Sequence, residues 1–153
     1  MTTPGPGGPG PAPLLVLAVG TAAADVAARW CGHVDRLRVL GDAADAGAVL
    51  DAELPRLTAG WRVLAVGSGR DVRTVRAAAL ARGALDGEVV AYALDAGDDV
   101  RVHCGACHHR FDARLGARDS STPRRCPGCG VDLVVTAHDS RVHGAVLGAP
   151  RVP

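Results

Sequence analysis

The sequence contains no lysine: all 17 basic residues among its 153 are arginine. Aromatic residues make up only 3% of the chain, and the 48% hydrophobic content rests mainly on Ala, Val and Leu. Long apolar runs are missing as well. The longest, LLVLAVG at 14–20, falls far short of the roughly 20 residues that a bilayer-crossing helix needs, so no membrane span is expected. The opening segment MTTPGPGGPGPAP carries no positive side chain, which excludes the signal-peptide pattern. Its proline and glycine content predicts a flexible tail over 1–13. With a formal net charge of +1, the composition is that of a soluble globular chain. Without an export signal the expected compartment is the reducing cytoplasm, where paired cysteines hold metal more often than they form disulfides.

Cysteine is scarce but concentrated. Of five, four fall in the stretch CGACHHRFDARLGARDSSTPRRCPGCG, as two Cys-x-x-Cys pairs: Cys104 with Cys107, and Cys126 with Cys129. Eighteen residues separate the pairs, and Gly105, Pro127, Gly128 and Gly130 supply tight turns around them. A Cys-x-x-Cys turn brings two sulfurs to adjacent corners of a tetrahedron, and two such turns complete it. The expected ligand is one structural Zn²⁺ held by Cys104, Cys107, Cys126 and Cys129. Four thiolates leave no open position for catalysis, so no catalytic residue is assigned. CPGCG also suits an iron knuckle of the rubredoxin type, but CGACHH lacks the glycine that follows the first pair there, and the separation is short. His103, His108 and His109 crowd the first knuckle and are read as surface residues or as supports of the ligands. Cys31, the fifth cysteine, is read as small core filler, and His33 as a surface or capping residue.

The halves differ in character. From 14 to about 96, apolar runs at 14–20, 37–41, 61–68 and 88–94 alternate with Ala-rich helical stretches at 21–31, 43–58 and 70–82. Runs apolar on both faces suit buried parallel strands, and their alternation with helices predicts an α/β domain of Rossmann-like kind over 14–96. Asp42 is placed to cap the second helix and Ser68 or Asp71 the third. The dinucleotide fingerprint is incomplete: VGSGRDV supplies Gly67 and Gly69, but Val72 stands at the third glycine position. These turns are read as a scaffold, with cofactor-binding residues unassigned. Arg70, Arg73 and Arg76 line one side of the third helix, as a solvated face or as a patch for an acidic partner.

From Val100 the helical signal ends, and VRVHC, HHRFDA and VDLVVTAH read as short strands beside the knuckles. Residues 1–99 hold nine Arg against twelve acids and 100–153 hold eight against four, which places a boundary near 96–99 and a zinc-ribbon β domain over 100–149. Arg110, Arg114, Arg118, Arg124 and Arg125 lie between or beside the knuckles and could meet phosphates. Phe111 is the region's one aromatic, too few for base stacking. A nucleic-acid- or protein-binding regulatory module is therefore the alternative rather than the main reading.

The tail CPGCGVDLVVTAHDSRVHGAVLGAP, with His138, Ser140 and Arg141, and the first knuckle CGACHHRF together resemble the DmmA-like family, the small subunit of dimethylamine monooxygenase, over roughly 104–149. WRVLAVGSGRDVRTVRAAALARG is similar, more loosely, to the last strand–helix unit of ferredoxin-reductase nicotinamide domains. The resemblance implies a multi-subunit, NAD(P)H-dependent oxygenase that demethylates dimethylamine to methylamine and formaldehyde. It places haem on an oxygenase subunit and flavin and iron–sulfur centres on a reductase subunit, these two being the expected partners. This chain would contribute structure, docking or electron-path geometry. His138, Ser140 and Arg141 are left between a turn motif and a subunit contact.

Overall fold

The computed structural model describes residues 14–32, 35–57, 60–95, 99–115 and 123–151. The 1–13 tail, His33, Arg118 and most of the 96–99 boundary lie outside them. Four strands, β1 (Leu14–Val19), β2 (Arg36–Leu40), β3 (Arg62–Gly67) and β4 (Val89–Ala93), form a parallel sheet in the order β2-β1-β3-β4. Three helices connect them: α1 (Thr21–Ala28), α2 (Ala46–Glu53) and α3 (Gly69–Leu80). Small aliphatics fill both faces. Leu15, Leu17, Val63 and Ala65 point to the side covered by α2 and α3, whereas Val16, Ala18, Leu64 and Val66 meet Ala23 and Ala27 of α1. This two-sided burial explains why β1 and β3 read as unbroken apolar runs.

Local chemistry fixes the helix starts. Asp42 accepts from the Ala44 amide at 2.8 Å, opening a 3-10 turn at Ala43–Asp45 that leads into α2. Ser68 accepts from the Asp71 amide and caps α3, an interaction of about 1 kcal/mol. Val72, Val75 and Ala79 of α3 are buried at helical spacing. Leu80 is only partly buried.

The rest of the chain makes a second sheet from β5 (Asp99–Cys104), β6 (Arg110–Arg114), β7 (Arg124–Arg125), β8 (Asp132–Ser140) and β9 (Ala145–Pro150), in the order β6-β5-β9-β8-β7. Strands β5 and β6 form one antiparallel hairpin, and β7 and β8 another. The last strand runs between them, parallel to β5 and antiparallel to β8. A Cβ at Gly148 would come within 2.9 Å of both Leu133 and Val102, so glycine lets β9 sit between the two hairpins. The core is small: Val100, Val102, Leu133, Val135 and Val146 with Cys104 and Cys126, flanked by Phe111.

Helix α3 lies against β5 and joins the two sheets. Arg70 pairs with Asp112 of β6 at 2.9 Å, and Arg73 approaches Asp139 of β8 at 3.9 Å. Arg76 and Arg141 share Asp86. The arginine row of α3 is thus turned toward carboxylates of its own chain.

Candidate metal centre

Each Cys-x-x-Cys lies in the turn of a hairpin, and the two turns repeat each other 22 positions apart. In the first, His108 N–H donates to Cys104 C=O at 2.9 Å, Cys104 N–H to His109 C=O at 2.9 Å, and Ala106 N–H to Cys104 Sγ at 3.4 Å. In the second, Gly130 donates to Cys126 at 2.8 Å, Cys126 to Val131 at 2.9 Å, and Gly128 N–H to Cys126 Sγ at 3.4 Å. The correspondence extends to the backbone: His108 has φ 62° and Gly130 φ 73°. The left-handed region costs a non-glycine residue roughly 1–2 kcal/mol, so the first knuckle carries strain that the second avoids.

The two knuckles close on each other. Cys104 Sγ lies 3.8 Å from Cys129 Sγ and Cys107 Sγ 3.7 Å from Cys126 Sγ, and all four sulfurs fall within 4.8 Å of one another. A regular tetrahedron with metal–sulfur bonds of about 2.3 Å has edges of about 3.8 Å. Two of the six sulfur–sulfur distances match that edge and none exceeds 4.8 Å, so the four cysteines could hold one metal ion, and tetrahedral four-sulfur sites take zinc or iron. Cys104 and Cys126 are buried, whereas Cys107 and Cys129 face outward. A Cβ at Gly128 would lie 2.8 Å from the His109 side chain, so the knuckles can approach this closely only with glycine there.

The clustered thiols shift one another's ionisation. Burial opposes ionisation of Cys104, but the amides of Cys107 and Ala106 and the neighbouring thiols outweigh it and bring that thiol down to about 7. The His109 amide favours a Cys107 thiolate, yet the sulfurs of Cys129, Cys126 and Cys104, together with burial, push it up to about 12. Ionisation of Cys104 is favoured, and that of Cys107 beside it is disfavoured.

The histidines stand beside this site. His103 Nε2 and His108 Nδ1 share a hydrogen bond at 3.2 Å, the His103 ring stacks on His143 with centroids 5.2 Å apart, and Arg110 donates to His143 Nδ1 at 3.1 Å. Burial, then His143, Arg110 and His108, lower the His103 pKa, which favours a neutral ring. His109 instead stacks against Phe111.

Of the described arginines near the knuckles, two also brace the backbone beside them. Arg124 and Arg125 donate to the carbonyls of Arg114 and Gly130 at 3.1 and 3.0 Å. In the tail, His138 lies where the β8–β9 register shifts, Ser140 Oγ accepts from the His143 amide at 3.3 Å, and Arg141 pairs with Asp86. Ser140 therefore supports the turn, and Arg141 ties it to the first half. Sequence reasoning missed His143, Asp86, Asp112 and Asp139, whose contacts span distant segments and leave no local signal.

In the first half, the Gly69 amide at the start of α3 is taken by Asp95 Oδ1 at 2.8 Å, and Asp71 sits in the same turn. Two carboxylates therefore stand where a phosphate would have to dock. Cys31 is partly buried, and burial, with Asp35 second, raises its thiol pKa. No helix among the described residues is long and apolar enough to cross a membrane. Comparison with models of known protein families gave no match, and comparison with curated proteins gave none either.

Proposed function

We propose that this chain is a non-catalytic subunit of a multi-subunit, NAD(P)H-dependent monooxygenase of the dimethylamine type. In this reading it carries a structural zinc ribbon on a Rossmann-like scaffold. The observation that carries the reading is the closed set of four sulfurs. With Cys104, Cys107, Cys126 and Cys129 all engaged, zinc would have no free position for substrate or water, and its contribution would be to hold the two hairpins together. Zinc has no redox chemistry, so an electron path through the complex would bypass this ion and the chain's part would be docking. The strand order β2-β1-β3-β4 agrees with a doubly wound sheet. The carboxylates at the start of α3 favour a scaffold that no longer takes a nicotinamide cofactor.

The partners in this reading are a haem-bearing oxygenase subunit and a flavin/iron–sulfur reductase, and the cell compartment is the cytoplasm. The test is co-expression with the neighbouring genes, followed by purification through this chain. Recovery of a haem protein whose amine-dependent NAD(P)H oxidation requires the chain supports the proposal. Recovery of nucleic acid, with no protein partner and no effect on amine oxidation, overturns it in favour of a regulatory zinc ribbon.

A further inference from the structure

A cavity of ≈ 40 Å³ lies between α3 and the β8–β9 turn, walled by Val72, Arg73, Arg76, Ala91, Asp139 and Arg141. A water molecule needs about 10–15 Å³ by this measure, so the space suits roughly three waters, or the oxygens of one small oxyanion. Three arginines line it together with apolar side chains, and their carboxylate partners are fewer than they are. Asp86 is shared by Arg76 and Arg141, and Asp139 stands 3.9 Å from Arg73 Nε, beyond hydrogen-bond reach. Arg73 Nη1 and Arg76 Nε are buried and have no hydrogen-bond acceptor among the described residues.

Buried donors left without an acceptor are rare in native proteins and point to a water or an ion. Charge decides between the two: three guanidiniums against two carboxylates leave a net positive wall, and the arginine fork matches the oxygens of phosphate and carboxylate. We propose that this cavity binds a small oxyanion, the phosphoryl or carboxylate group of a metabolite, through Arg73, Arg76 and Arg141. Arg73 and Arg76 belong to the parallel-sheet half and Arg141 to the cysteine-bearing half, so the ligand bridges the two and tightens their docking.

The test uses the full chain labelled with ¹⁵N. The arginine Nε–H resonances are followed during titration with inorganic phosphate, with acetate, and with chloride at matched ionic strength. Arg73 and Arg76 should shift saturably with phosphate or acetate beyond the chloride response, and the more effective anion identifies the ligand group. Arg82, already held by both Asp51 oxygens, should stay still. Arg73→Gln and Arg141→Gln should each weaken binding by about tenfold or more, with bound metal as the check that the cysteine-bearing half remains folded. Equal shifts with chloride, or unchanged binding in both variants, would overturn the proposal.

Discussion

Arg70 Nη1 of α3 lies 2.9 Å from Asp112 Oδ2 of β6, and the other Asp112 oxygen takes Arg101 Nε at 3.1 Å. One carboxylate thus ties together residues 42 positions apart and couples the two sheets. Arg70 and Asp112 are both partly exposed, with 39% and 48% of their side-chain surface accessible, so solvent and salt screen the pair.

The contact between halves should therefore loosen as salt rises. Amide exchange along the exposed side of α3 should speed up in molar salt and in Asp112→Asn, while amides of β1 and β3 stay protected. Equal protection of α3 in low salt, high salt and the variant would show that apolar packing, rather than charge, holds the halves together.

Removing one sulfur should affect one half only. Cys104→Ser or Cys126→Ser should abolish stoichiometric metal binding and unfold the second sheet, whose apolar core is too small to stand without an ion. Metal analysis of the parent protein should find one zinc per chain. A red, iron-loaded protein would replace zinc with a redox iron centre. Backbone resonances would show whether the parallel sheet persists in the variants.

A methyl group at the knuckle contact should loosen the metal without removing a ligand. Gly128→Ala forces the His109 side chain aside and should destabilise the second half by about 1–3 kcal/mol, read as faster metal transfer to a chelator. Gly87→Ala is the control, since a Cβ there meets nothing within 4 Å. Identical transfer rates would mean that the knuckles can move apart at little cost.

Acid should unfold the first half through Glu53. This carboxylate is 3% exposed; burial opposes its charge, but hydrogen bonds from Arg38 and Arg36 outweigh burial and lower its pKa. Because the folded pKa lies below the unfolded value of about 4.3, the stabilisation is complete above that pH and is lost as pH falls through the folded pKa. Glu53→Gln should cost about 1–3 kcal/mol at neutral pH and flatten the acid limb of thermal unfolding. An unchanged acid limb would assign acid unfolding to other carboxylates.

The parts legible in the sequence were those with local signatures. The spacing of Cys104, Cys107, Cys126 and Cys129 marked the site, apolar runs marked β1 to β4, and Asp42 and Ser68 marked helix starts. The role of Arg70, Arg73 and Arg76 was open because their partners at 112, 139 and 86 come together only after both sheets exist. The run GAVLGAP was not read as a strand. Two glycines lower its strand propensity, and its place between the hairpins depends on Gly148 meeting Leu133 and Val102, a relation no short window contains.

The position of β9 also orders events as the chain leaves the ribosome. Both cysteine pairs have been made by Cys129, and with β8 complete each can sit in its own hairpin. The strand that joins those hairpins, Ala145–Pro150, comes only afterwards. Until it arrives, Val102 and Leu133 have nothing between them and the sheet is two separate pieces. Metal can cross-link those pieces before β9 enters, or β9 can align them first, and non-local strand pairing of this kind is slow. Pulse-labelled nascent chains stopped before and after 145–150 would show which step comes first. A chain halted there presents an open sheet edge on each hairpin, the state most exposed to mispairing with its neighbours.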